Sequence, residues 1–399
     1  MIKKEEIAIG SAFLVGGQII QAVVGFGVNL VLVRYLAPEE FGRFAIILAG
    51  AALVYSILSL RTETMVIRVS VDQLTDGAKD RYFGAALIET VLATSVICIW
   101  MMVTSSSGNW EIGLVLAIGL RHWMFQNKAF FERTMPYRKL ALIETLVATA
   151  SHFVALGLVL CGVGWSVLFI REIFLSIAGL LGIWAIGGLS LRKFKFPSLA
   201  DWQLLFNEAR GMWLDAALGN GLARLTIIFV GLLGGDRAAG FFFQALRLAN
   251  LPNQVLSPIV SRVAGTWFGR TEDRTIRRKG RDKLLLFIAA PLALGAGLTV
   301  AFADPVIPWM FGVEWSRTVE LMIGLSGFIF FLSLFEVLKS YCWFARHMRW
   351  MLIGRIFQYI GVAIPVYAAV TNVMAGDMAM AIGQSLALIK NRDLRAFGN

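Results

Sequence analysis

The chain has 399 residues, 58% of them apolar and 16% charged, with a formal net charge of +11 and a mean hydropathy of +0.71. Soluble domains run near roughly 45–50% apolar and about 25% charged, and a water-soluble fold of this length has too little interior to hide the difference. The balance excludes a disordered chain, a secreted disulfide framework and an ordinary cytosolic enzyme, and points to an all-α integral membrane protein.

A helix crossing roughly 30 Å of hydrocarbon needs about 20 mostly apolar residues. Twelve stretches meet that need: 8–33, 44–60, 83–103, 112–131, 140–163, 166–188, 212–233, 238–260, 284–302, 321–344, 351–370 and 373–389. The connections between them are too short to hold a soluble domain. The first stretch is too long for the apolar part of a signal peptide and no small-residue cleavage site follows it, so it reads as a span. It carries Gln18, Gln21 and Asn29, and the segment after it reads Pro38-Glu39-Glu40-Phe41-Gly42. The fourth span holds Arg121, Gln126, Asn127 and Lys128. Six spans lie on each side of a longer polar stretch, 189–211, in which Trp202, Leu205, Phe206 and Ala209 recur at helical spacing. That pattern predicts an amphipathic helix lying on the inner membrane surface. Gly240-Phe241-Phe242 after the seventh span echoes Gly42-Arg43-Phe44 after the first, which favours two related bundles. The expected organisation is therefore an N-terminal six-helix lobe over 1–190, a cytoplasmic amphipathic linker over 191–211 and a C-terminal six-helix lobe over 212–399, the two bundles flanking a central cavity.

Charge tests the span count independently. With the N-terminus placed in the cytoplasm, the segments expected inside carry 26 Lys and Arg, those expected outside carry 4, and 7 fall within spans. The alternation stays in phase to the end, so the positive-inside rule puts both termini in the cytoplasm. Most of the +11 is thereby topological, and the dense run 270–283 suits contact with anionic headgroups, not nucleic acid.

A charge near mid-bilayer costs at least roughly 2.5–3.5 kcal/mol, so it is paired or faces a wet cavity. Lys339 has Glu336 one turn away. Lys128 is expected to snorkel. Arg171 adjoins Glu172, which points off at another angle. Arg121, Arg224, Arg247 and Arg355 have no acid within four residues. Each has two readings: a salt bridge to a neighbouring helix, or a basic cavity for an anionic substrate, since guanidinium forks match phosphate oxygens. Glu89 and Asp215 keep a cation-coupled exporter open. Gln18, Gln21, Asn220, Gln244 and Asn250 are the amides expected to line a polar path, where sugar hydroxyls or interhelical bonds would suit them. The three cysteines sit in apolar stretches and the three histidines are scattered, with no metal-ligand spacing and no nucleophile, Walker or dinucleotide motif. No metal or cofactor is expected, and the short outer segments argue against an enzyme such as a membrane glycan polymerase or ligase.

Four segments also carry a family resemblance. Leu32-Val33-Arg34-Tyr35-Leu36-Ala37-Pro38-Glu39-Glu40-Phe41-Gly42 resembles the "R-x-L-x-P-E-x-F-G" signature of polysaccharide biosynthesis flippases, the O-antigen type of lipid-linked oligosaccharide translocase. These belong to the multidrug/oligosaccharidyl-lipid/polysaccharide exporter superfamily. Ser59-Leu60-Arg61-Thr62-Glu63 is similar to that family's "L-R-x-E", residues 240–258 to its eighth helix, and Met310-Phe311-Gly312-Val313-Glu314-Trp315 to its "lfG-x-x-W". The resemblance spans about residues 8–370. It implies a multi-pass protein of the bacterial cytoplasmic (inner) membrane that flips an undecaprenyl-(pyro)phosphate-linked oligosaccharide from the inner to the outer leaflet. The cargo serves surface polysaccharide export (lipopolysaccharide O-antigen or exopolysaccharide), and the movement is by alternating access. On this reading Arg224, Arg247 and Arg121, with Arg355, form the basic cavity, and Arg61 lies near its inner mouth. The polyprenyl tail stays in membrane lipid through a lateral gap. The rival within the superfamily is a multidrug exporter.

Overall fold

The computed structural model describes residues 4–69, 74–103, 108–133, 137–188, 195–259, 268, 273–344, 352–354 and 356. Among them there is no strand. Twelve α-helices follow one another: α1 (Lys4–Tyr35), α2 (Pro38–Leu58), α3 (Thr62–Arg68), α4 (Asp76–Val103), α5 (Asn109–Glu132), α6 (Tyr137–Leu160), α7 (Ser166–Ala185), α8 (Leu199–Ala249), α9 (Leu251–Ile259), α10 (Arg274–Phe311), α11 (Arg317–Gly324) and α12 (Ser326–Phe344). Seven are long and apolar enough to cross a membrane, and the bent pair α11–α12 makes an eighth. Every expected span up to residue 344 coincides with helix, with two qualifications of physical origin. Spans seven and eight are the two limbs of the single element α8, turned at Gly235, whose φ of 76° is open to glycine but strained for other residues. Helix α5 has the required length, but Arg121, His122, Gln126, Asn127 and Lys128 dilute its hydropathy. The two expected spans beyond residue 350 lie outside the described residues.

Contacts divide the chain into two units, Met1–Leu36 with Ile46–Leu225, and Ala37–Ala45 with Thr226–Asn399. In the first, α1 lies along α6, and α7 packs on both α5 and α6. Small residues let these backbones approach where lipid supplies no hydrophobic drive. Gly17 leaves no room for a Cβ against the Thr145 hydroxyl, and one at Gly25 would stand 2.8 Å from the His152 ring. Helices α2 and α3 are parted by a break at Ser59–Leu60–Arg61. Arg61 sits there in the left-handed region with φ 59°, a conformation that costs a non-glycine residue roughly 1 kcal/mol or more. The Ser59 hydroxyl accepts from Arg61 N–H, and Arg133 Nη1 donates to the Val66 and Val69 carbonyls at the far end of α3.

The linker helix forms as its spacing predicts, and part of its apolar face is docked on protein. Leu205 and Ala209 are fully buried among Met65, Val66, Tyr82, Ala85 and Ala129. Arg81 pairs with Asp201 at 2.7 Å, and Tyr82 Oη donates to Glu208 at 3.4 Å. The sequence pattern identifies a buried face but not what buries it. The helix also runs without a break into the seventh span.

In the second unit the start of α2 crosses the second limb of α8. Ala37 caps α2, with Pro38 in the first turn and the Glu40 carboxylate accepting from the Ala37 N–H at 2.7 Å. Gly42 and Gly240 meet at the crossing. A Cβ on Gly42 would run into the Asp236 carbonyl, and one on Gly240 into the Pro38 carbonyl. Trp315, 1% exposed, receives Phe41, Phe241 and Phe311 edge-on with ring centroids 5.5, 5.8 and 6.2 Å away. Arg237 and Glu39 bridge at 3.3 Å. The Pro-Glu-Glu-Phe-Gly segment, its echo at Gly240-Phe241 and the Phe-Gly-x-x-Trp segment thus share one cluster.

Candidate functional site

The polar residues of the first unit gather on the faces that α2, α3, α4, α5 and α7 turn toward one another, with the first limb of α8. Two groups of charge result. In the first, the α2–α3 break presents Arg61 and Glu63, paired at 3.3 Å, and Gln126 of α5 donates to the other Glu63 oxygen at 2.8 Å. Glu89 of α4, 3% exposed, faces the Leu60 N–H and the Ser59 hydroxyl, though neither approach completes a hydrogen bond. His122 stacks on Tyr55 with centroids 4.8 Å apart, and its Nε2 is buried without a partner. A mainly apolar cavity of about 310 Å³ lies beside the break, lined by Leu58, Leu60, Ile88, Glu89, Leu92, Trp202 and Phe206. None of the arginines expected to line a cavity is among these residues.

The second group is cationic. Glu172 of α7 is held between two guanidiniums: Arg171 Nη2 donates to Oε1 at 2.8 Å and Arg121 Nη1 to Oε2 at 2.9 Å. Arg224, on α8, lies within electrostatic reach of Arg121, and no carboxylate among the described residues pairs with it. Arg121 and Arg171 thus share the single carboxylate of Glu172, and Arg224 adds a third guanidinium within electrostatic reach of Arg121. Buried like charges repel strongly and are desolvated at a cost of several kcal/mol each, so an arrangement of this kind is suited to receive an anion.

Two lysines within the spans are paired as well. Lys128 does not snorkel; it bridges Glu132 at 3.1 Å and also contacts Glu144 of α6. Lys339 pairs with Glu336 at 2.6 Å, as its spacing predicts. Arg171 does pair with its sequence neighbour, because its side chain is long enough to fold back along the helix. The partner of Arg121 lies 51 residues away, which no local search in sequence finds.

Of the amides, Gln21 donates to Thr145 of α6 at 3.3 Å, Gln18 is half-buried on α1, and the side chain of Asn220 lies outside the described residues. In the second unit Gln244 is fully buried, Asn250 accepts from Asn253 at 3.3 Å, and Arg247 is half-buried on the second limb of α8. Arg355 lies outside the described residues. Among those described, no group of three His, Cys, Asp or Glu side chains is placed to hold a metal ion.

Comparison with known proteins places this geometry in a family. Residues 31–320 match the model of a family described as "Polysaccharide biosynthesis protein". Over 140 residues the chain is 26% identical to the "Man(5)GlcNAc(2)-PP-dolichol translocation protein RFT1" of Saccharomyces cerevisiae, covering 33% of this chain and 22% of that protein. Over 118 residues it is 29% identical to the "Teichuronic acid biosynthesis protein TuaB" of Bacillus subtilis, covering 28% and 24%. The alignments thus span less than a quarter of either curated relative. Among solved structures, "Lipid II flippase MurJ, inward closed conformation" matches with a TM-score of 0.72 at 10% identity over 96% of this chain and 87% of that one. An inward-facing multidrug resistance MATE family transporter matches with a TM-score of 0.58 at 12% identity over 98% and 100%. At such identities the structural likeness establishes the fold alone: a multi-pass helical membrane fold.

Proposed function

We propose that this chain, which belongs to the polysaccharide biosynthesis protein family, flips a polyprenyl-(pyro)phosphate-linked oligosaccharide from the inner to the outer leaflet of the bacterial cytoplasmic membrane by alternating access. The observation that supports the reading is the pair of guanidiniums, Arg121 and Arg171, that share the Glu172 carboxylate, with Arg224 of α8 a third guanidinium acting on Arg121 and paired with no carboxylate among the described residues. A phosphate bearing a string of hydroxyls cannot enter hydrocarbon unaided, because stripping its water is prohibitive. A surplus of guanidinium inside the bundle replaces part of that hydration with bidentate, charge-assisted hydrogen bonds. Arg121 and Arg224 are assigned to the phosphate, and Arg61 to the cytoplasmic approach. Arg247, Gln244 and Asn250 are the candidates of the second unit. The curated relative named for translocation of a PP-dolichol glycan supports a lipid-linked sugar as cargo, and the positive-inside asymmetry supports cytoplasmic termini.

The test is leaflet-resolved. Loss of the gene should leave lipid-linked sugar in the inner leaflet, and purified protein in vesicles should move a fluorescent polyprenyl-phosphate sugar across the bilayer. Alanine at both Arg224 and Arg247 should abolish that movement. Undiminished transfer by the double variant would remove the phosphate assignment. The second reading, a multidrug exporter, draws on the likeness to MATE structures and on the buried carboxylate of Glu89. It requires that expression confer resistance to cationic dyes, and Glu89→Gln should abolish that resistance.

A further inference from the structure

A site for anions has no evident need of an acid, yet Glu172 joins two guanidiniums of this cluster. Both oxygens of Glu172 are engaged, one by Arg171 and one by Arg121. The two arginines are not equivalent. The Arg171 side chain is 10% exposed and the Arg121 side chain 24%, and Arg121 is the one that acts on Arg224. Arg121 is thus held at one edge by Glu172 while remaining the more open of the pair.

We propose that Glu172 is the resident counter-ion of the anion site. With the site empty it neutralises Arg121. A phosphate arriving at Arg224 competes with the carboxylate for Arg121, and when the phosphate leaves Arg121 returns to Glu172. The inference rests on the anionic-cargo reading of the same cluster. A carboxylate and a phosphate present similar pairs of oxygens to one edge of a guanidinium, so the exchange swaps like hydrogen bonds and needs no proton or co-reactant. Arg171 keeps Glu172 in place throughout. The arrangement also answers a requirement common to all carriers, that a site hold its ligand firmly enough to load and loosely enough to unload. Three guanidiniums alone would trap a phosphate. Three guanidiniums with a built-in competitor release it.

The test uses the full chain, with inorganic pyrophosphate as a soluble probe of binding in detergent and the fluorescent polyprenyl-phosphate sugar as a probe of transfer in vesicles. Glu172→Gln should bind pyrophosphate about tenfold more tightly, the scale of one charged hydrogen bond, while KM and kcat for transfer fall together. A purely structural role would lower kcat without tightening binding. Where Glu172→Gln is not recovered folded, Glu172→Asp keeps the charge but is too short to hold both arginines, and should tighten binding by a smaller factor. Affinity unchanged or weakened in these variants, while Arg224→Ala abolishes binding in each background, overturns the role of Glu172 and leaves the anion site standing. Absence of pyrophosphate binding by the wild-type protein overturns both.

Discussion

Replacing Gly240 by alanine tests the helix crossing of the second unit most directly. Its added Cβ would overlap the Pro38 carbonyl oxygen and stand 2.7 Å from the carbonyl carbon and 3.2 Å from the Gly42 nitrogen. All three are backbone atoms of a capped first turn, so no side chain can rotate aside and the helices must separate. Overpacking of a tight interface costs roughly 1–3 kcal/mol, and the partner here being backbone places the change toward the upper end. Against it stands the gain in helix propensity, about 1 kcal/mol for glycine to alanine. The expected net loss is about 1–2 kcal/mol, read as a lowered midpoint when the purified protein is unfolded by denaturant. Gly42→Ala should do the same, since its Cβ meets the Asp236 carbonyl. The double variant should lose less than the sum, because helices already parted by one methyl have room for the second. Gly297→Ala in α10 is the control: nothing lies within 4 Å of its Cβ, so only the propensity gain remains and stability should rise slightly. Wild-type stability in Gly240→Ala, or strict additivity in the double variant, would refute the crossing.

Three further outcomes follow from the same geometry. Trp315→Ala removes three edge-to-face ring pairs worth roughly 0.5–1.5 kcal/mol each and should lower the unfolding midpoint sharply, with Trp315→Phe intermediate. Arg61→Gly relieves the left-handed backbone and should hold or raise stability by up to about 1 kcal/mol, yet slow leaflet transfer; a variant as active as wild type would deny Arg61 any part in transport. Lys128→Met leaves Glu132 and Glu144 facing each other without their shared cation, and should destabilise by about 3–5 kcal/mol, with Lys128→Met/Glu144→Leu recovering most of the loss in the same denaturation assay.

The helices were legible in sequence because a single property, apolar length, decides them in lipid. The ten apolar stretches up to residue 344 coincide with helix, and seven helices, or eight with the bent pair, are long and apolar enough to cross a membrane. Ion pairing between helices was not legible. The rule that found Lys339–Glu336 looks one turn along a helix, and Arg121–Glu172 and Lys128–Glu144 join different helices. The docked linker shows the same limit: periodicity locates an apolar face but is silent on whether lipid or protein covers it. What composition did convey was the imbalance itself. Basic residues within the spans outnumber the acids that can serve them, and Arg224 is where the structure leaves that imbalance uncompensated.

Helix α8 ties the docked face of the first unit to its basic cluster. From Leu205, wedged among α3, α4 and α5, to Arg224 the chain is unbroken helix, a rod of about 28 Å at 1.5 Å per residue. A rod that stiff does not absorb a tilt; it delivers it. Leu205 and Ala209 near one end and Arg224 at the other are therefore carried by one stiff element, so a shift of the docked face is felt at the guanidinium.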